Sequence, residues 1–147
     1  MFHIFRKKEK PIPEVLHHED MGDITFVEDF EWWEGKYNCT LFGKEKIIRM
    51  LLDGDIDDRY DIENQEKTFR YYAKNKEKIN KEIEQELRRK YELADDFVLS
   101  DRFEPITFIM LLNGYSGIEF IDHAECEEIV VAITPKTEWY GPTEEFY

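Results

Sequence analysis

A chain of 147 residues is long enough for one domain with its own core, burying about two-thirds of the surface its unfolded form would expose. With 34 acidic against 20 basic residues the net charge is −14, a field that repels phosphates and draws basic partners, so nucleic-acid binding is excluded. Cys39 and Cys126 stand far apart, in no metal or redox spacing, which reads as a reduced cytoplasmic chain with two ordinary thiols; a single disulfide is the alternative.

In chain order, residues 1–8 place apolar residues ahead of basic ones and contain no apolar run of signal length, so no secretion signal is expected. Residues 1–21 read as a tail, with Pro11 and Pro13, leading into a short docking segment; residues 22–147 then form a single α+β domain. A first strand is expected over residues 24–27. Trp32 and Trp33 are adjacent and must point to opposite faces of a strand, so one enters the core and the other is sheltered or offered to a partner. Shelter is expected, because large aromatics are highly buried on average.

Tyr37, Cys39 and Leu41 alternate with Lys36, Asn38 and Thr40, the period of a strand with one face buried. Gly43 permits a tight turn across Phe42-Gly43-Lys44. Ile47, Ile48, Met50, Leu51 and Leu52 follow as a nearly continuous apolar run broken by Arg49, which predicts a central strand covered on both faces and stopped by Asp53-Gly54-Asp55. From residue 62 to 91 the period changes: Phe69, Tyr72, Ile79, Ile83, Leu87 and Tyr91 form one apolar stripe on a helix, capped by Asp61 or Asn64. Glu77 with Lys81, Glu84 with Arg88 and Glu86 with Lys90 put acid four residues before base on its polar faces. Thirty helical residues span about 45 Å, against about 27 Å for an eight-residue strand. Such a helix must overhang the sheet or bend, and the bend is placed around Asn75, Lys76 and Asn80.

A connector over residues 92–105 carries a short helical turn near 93–99. Three more strands follow, over residues 106–112, 117–121 and 128–134, with turns at Asn113-Gly114 and near Ala124-Glu125. The last residues, Trp139 to Tyr147, are aromatic, acidic and turn-prone, either an edge strand or a flexible tail. The longest uncharged apolar stretches, residues 108–112 and 129–133, are strand-sized, so neither a membrane span nor a membrane partner is expected and the compartment is cytoplasmic. The expected architecture is α+β: an antiparallel sheet of five or six strands, three N-terminal and three C-terminal, packed against one long central helix.

Several short stretches occur in a familiar order. Gly22-Asp23-Ile24-Thr25-Phe26, Trp33-Glu34-Gly35, Phe42-Gly43-Lys44-Glu45 and Leu51-Leu52-Asp53 precede the helix. Phe120-Ile121-Asp122-His123 and Ile129-Val130-Val131 follow it. In order and spacing, over residues 22–133, the chain resembles the bacterial domain-of-unknown-function family 2262, departing from it where Thr134-Pro135-Lys136-Thr137 replaces a glycine-rich turn. The resemblance implies a small α+β architecture without an established activity, and the company such domains keep among bacterial toxin-immunity proteins.

No stretch assembles a recognisable active site. Asp53, Asp55, Asp57 and Asp58 alternate like calcium ligands, but with Asp53 first the turn glycine would fall at Asp58 and the bidentate glutamate at Asn64, so a solvated acidic loop is the better reading. His17 and His18 diverge on regular structure and lack a third ligand cluster, and no cofactor or metal is expected. His123 beside Asp122 is the one acid-base candidate, read more simply as a turn histidine. Serine nucleophile turns, phosphate-cradling glycine loops and paired cysteines do not occur.

Charge is the informative property. From Glu92 to Tyr147 there are 13 acidic residues against Arg102 and Lys136. The expected function is therefore non-enzymatic protein recognition: an immunity protein that neutralises a cognate bacterial toxin, such as a nuclease, by occupying its basic groove. The partner is a basic protein, steered by charge and held by aromatic anchors. Candidate contacts are Glu119, Asp122, Glu125, Glu127, Glu128, Glu138, Trp139 and Tyr140. The competing expectation is a small-ligand binder or enzyme with a pocket near His123. A regulatory module in a self-associating complex, marked by an uncovered edge strand, is a third.

Overall fold

The computed structural model describes residues 14–55, 57 and 62–147. Residues 1–13 and Asp61 as a helix cap lie outside them, as do Ile56 and Asp58 of the acidic loop. Eight strands form one sheet in sequence order: β1 (Val15–His18), β2 (Gly22–Val27), β3 (Trp32–Cys39), β4 (Lys46–Asp53), β5 (Phe103–Met110), β6 (Ser116–Asp122), β7 (Glu127–Thr134) and β8 (Glu138–Pro142). Two helices, α1 (Glu63–Lys74) and α2 (Lys76–Lys90), lie between β4 and β5. The architecture is α+β as expected, but with eight strands rather than five or six and two helices rather than one.

The additional strands come from the two ends. The segment read as tail and docking stretch supplies β1, paired with β2 from Val15 opposite Thr25 to His18 opposite Gly22. The sheet therefore begins before residue 22. The C-terminal stretch supplies β8, the edge strand beside β7. Every neighbouring pair is antiparallel except β4 and β5, which run parallel from Arg49 opposite Thr107 to Leu52 opposite Met110. This corrects the all-antiparallel expectation: a crossover of two helices returns the chain to the end from which β4 started, as parallel neighbours require.

The helix stripe is Tyr72, Ile79, Ile83 and Leu87, all buried, flanked by half-buried Phe69 and Tyr91. It packs on Trp33, Met50, Leu52, Phe108, Ile118, Phe120, Ile129 and Val131 of the sheet. Tyr37, Tyr72 and Phe108 form a ring cluster with centroids 5.0–5.8 Å apart. The break between the helices falls at Asn75, within the stretch where a bend is expected. Its side-chain amide donates to the Tyr71 carbonyl at 2.9 Å, and its φ of −113° is not helical. This is the local competition through which asparagine ends helices. Of the expected surface pairs, Glu86 instead takes Arg89 at 2.8 Å, while Arg88 donates to the carbonyls of Ala94 and Phe97 after α2 ends.

At the other end Gln65 ties α1 to the parallel pair, donating to the Asp53 and Met110 carbonyls at 2.6 and 3.3 Å. Phe42 and Gly43, at φ of 59° and 69°, make the expected turn between β3 and β4, within a short 3-10 segment over Leu41–Gly43. Asn113 and Gly114 turn β5 into β6, with Gly114 at φ 89° and the Asn113 side chain accepting the Tyr115 N–H at 2.9 Å. The helical turn expected near 93–99 lies at Leu99–Asp101.

Neither α1 nor α2 packs on the opposite face of the sheet. Leu51, Ile109, Leu111, Val130 and Ala132 form a smaller apolar cluster there, covered by Phe146 and flanked by Trp32. The two-sided burial expected for β4 holds at Met50, Leu51 and Leu52, whereas Ile47, in the same apolar run, is 68% exposed. The tryptophan pair is resolved too: Trp33 is 1% exposed beneath the helices, while Trp32 is half-buried on the second face.

Candidate functional site

Of the acids of the C-terminal third, Asp122, Glu125, Glu127 and Glu128 lie at the β6–β7 turn and Glu119 on the second face. Asp122 ends β6 fully buried, with its carboxylate oxygens 2.8 and 3.0 Å from the Arg102 guanidinium and the backbone N–H groups of Ala124 and Glu125 donating to Oδ1. Burial pushes its carboxyl up, but these hydrogen bonds outweigh it and the net shift is downward. Asp122 thus shapes the turn from within and does not face a partner. The turn presents Glu125, Glu127 and Glu128 to solvent.

Glu119 is also buried, on the second face at the middle of β6. Its Oε1 lies 3.8 Å from Arg49, beyond hydrogen-bonding reach, and has no hydrogen-bond partner among the described residues. Arg49, the residue that interrupts the apolar run of β4, reaches Thr107 at 3.3 Å and Glu34 at 3.5 Å and stands 5.6 Å over the Trp32 ring. Phe30 stacks on Trp32 at 4.6 Å and Tyr147 lies 6.4 Å from it on a near-parallel plane. Burial, with a further push from Glu119, Asp53 and Glu128 against the pull of Arg49, raises the Tyr147 phenol to about 12.

An open groove of about 660 Å³ runs beside this aromatic stack, lined by Glu127, Glu128, Glu144 and Tyr147 with Cys126, Pro142 and Thr143. Cys126 is an exposed free thiol and Cys39 a buried one. Of the remaining candidates, Glu138 pairs with Lys136 at 3.5 Å, and Tyr140 is 41% exposed with its ring edge-on to Phe146. Trp139 is engaged internally: its indole N–H donates to the Tyr91 hydroxyl at 3.2 Å and Lys90 stands 4.1 Å over its ring. The structure therefore brings Glu127 and Glu128 to one groove, sets Glu125 4.0 Å from Arg102, leaves Glu138 with Lys136 and Tyr140 against Phe146, and places Glu119, Asp122 and Trp139 in internal contacts.

His123 is exposed and its Nε2 lies 3.0 Å from Glu104, which also pairs with Lys46. Neither this groove nor the smaller one beside Lys36, Tyr37 and Phe69 includes it. His17 pairs with Asp23 at 2.6 Å, and His18 Nδ1 accepts the N–H groups of Asp20 and Met21. Among the described residues no group of three or more His, Cys, Asp and Glu side chains is placed to hold a metal, and no helix is long and apolar enough to cross a membrane.

Sequence reasoning missed Phe30, Arg49, Glu144 and Tyr147 as neighbours of one surface. Part of the signal was present: an arginine inside a two-sided apolar strand must share its face with Leu51 and so belongs to the side away from α1 and α2.

No curated protein and no solved structure matches the chain. Residues 20–140 match a family described as Domain of unknown function (DUF6985). That finding overturns the resemblance to family 2262, whose short motifs were carried by order and spacing alone. The match runs from the β1–β2 turn into β8, most of the chain, so the chain belongs to the DUF6985 family.

Proposed function

We propose that this domain is a non-enzymatic protein-recognition module, in its concrete form an immunity protein that neutralises a basic bacterial toxin through its acidic, aromatic second face. The observation that carries the reading is the open groove beside Tyr147, whose lining among the described residues includes Glu127, Glu128 and Glu144 and no basic residue. An open surface of this charge suits a protein partner better than an enclosed small-ligand site does. The buried candidates take supporting roles: Asp122 holds the turn that presents Glu125, Glu127 and Glu128, and Trp139 fixes β8 to α2.

The test is co-purification with the basic product of a neighbouring gene at low and then moderate salt, with Glu127→Lys/Glu128→Lys as the variant. The wild-type complex should weaken with salt and the variant should lose it; equal capture by both would remove these acids from the interface. Co-expression with that gene product separates the immunity role from mere binding, since protection requires restored growth. Growth arrest unrelieved by the bound wild type would reject the immunity role.

A further inference from the structure

Tyr147 joins two features of the second face. On one side it walls the groove with Glu127, Glu128 and Glu144. On the other its ring lies 6.4 Å from that of Trp32, with Glu119 among the charges that act, after burial, on its phenol. Glu119 is 3% exposed, and its Oε1 has no hydrogen-bond partner among the described residues. Its charge is met by Arg49, 3.8 Å away, so the carboxylates open to an incoming cation are those of the groove, Glu127, Glu128 and Glu144. Phe30, 61% exposed, and Tyr147, 52% exposed, flank Trp32 in the stack, adding ring faces of the kind that anchor interfaces and hold cations. Among the described residues these acids form no metal-holding group; three carboxylates beside a ring in an open groove suit a long organic cation.

We propose that this groove is the anchor pocket for one lysine or arginine side chain of the basic protein partner, its cationic head between Glu128 and Glu144 and its aliphatic stem against Tyr147. The inference rests on the reading of the domain as a protein-recognition module and specifies where that module grips. Stem burial against the ring and charge pairing at the head act together, as they do when long cationic side chains cover apolar surface.

The experiment is an amide NMR titration of the full chain with acetylated penta-lysine amide at low and moderate salt, beside Glu128→Gln/Glu144→Gln and a helix control, Glu77→Gln/Glu84→Gln. The expected result is a shift pattern centred on residues 126–128 and 143–147, with affinity weakened roughly three- to tenfold in the groove variant and unchanged in the control. Shifts centred on other acids, with the groove variant binding like wild type, would overturn the pocket while leaving a basic partner in place. Absence of binding at low salt would overturn the pocket and withdraw the charge argument for the module as well.

Discussion

Replacing Asp122 with Asn removes one charge from the best-formed buried pair in the domain and leaves Arg102 facing an amide. Removing one partner of a buried, hydrogen-bonded ion pair costs about 3–5 kcal/mol. The Arg102 side chain keeps 15% of its surface in water, so a partly relieved cost of about 2–3 kcal/mol is expected. At about 2–4 °C per kcal/mol for a chain of this size, Tm should fall by roughly 5–10 °C. The Asp122 carboxyl is held below its ordinary range in the folded state. Its contribution is therefore complete above the unfolded-state value of about 3.9 and is lost as pH falls from there through the folded-state value. Calorimetry of wild type and Asp122→Asn at neutral pH and at successively lower pH should show a full gap that closes on acidification. A Tm loss under about 2 °C at neutral pH, or a gap that persists undiminished under strongly acid conditions, would refute the argument that the charge pair holds this turn.

Three further outcomes follow from the packing. Ile83→Ala, at a fully buried position under the sheet, should cost about 2–4 kcal/mol in denaturant unfolding, because the backbone around a helix stripe collapses only partly into the cavity. Gly117→Ala should be destabilised by about 1–3 kcal/mol in the same assay, since an added Cβ would meet Val130 Cγ1 at 2.7 Å and the Val131 carbonyl oxygen at 2.8 Å. A wild-type Cm for that variant would show that β6 and β7 can separate slightly. His123→Ala should change stability by less than about 0.5 kcal/mol, because its pair with Glu104 is solvent-exposed; it should also leave partner capture intact. Loss of capture in that variant would return weight to a site at the β6–β7 turn.

Much of the frame is legible in the residues themselves. The period-two alternation through Tyr37 and Cys39, the buried half of the β4 run, the Asn113-Gly114 turn and the stripe from Tyr72 to Leu87 are local patterns, set by strand or helix geometry, although Leu41 of the expected alternation falls in the 3-10 turn. The helix break at Asn75 is local as well, since a short side-chain amide competes with the backbone of its own turn. So is the charge excess of the C-terminal third, which needs no fold to be counted.

Other features depend on contacts between segments distant in sequence. The parallel pairing of β4 with β5 follows from where a two-helix crossover sets the chain down. The strand identity of Val15–His18 rests on β2 as its partner. Glu119, Asp122 and Glu128 are equivalent acids in the sequence, yet one is buried near Arg49, one is clamped by Arg102 and one lines a groove. Composition determines how many carboxylates a surface can show, whereas the side of a strand and the arginine that meets it from another strand or loop decide which ones face a partner.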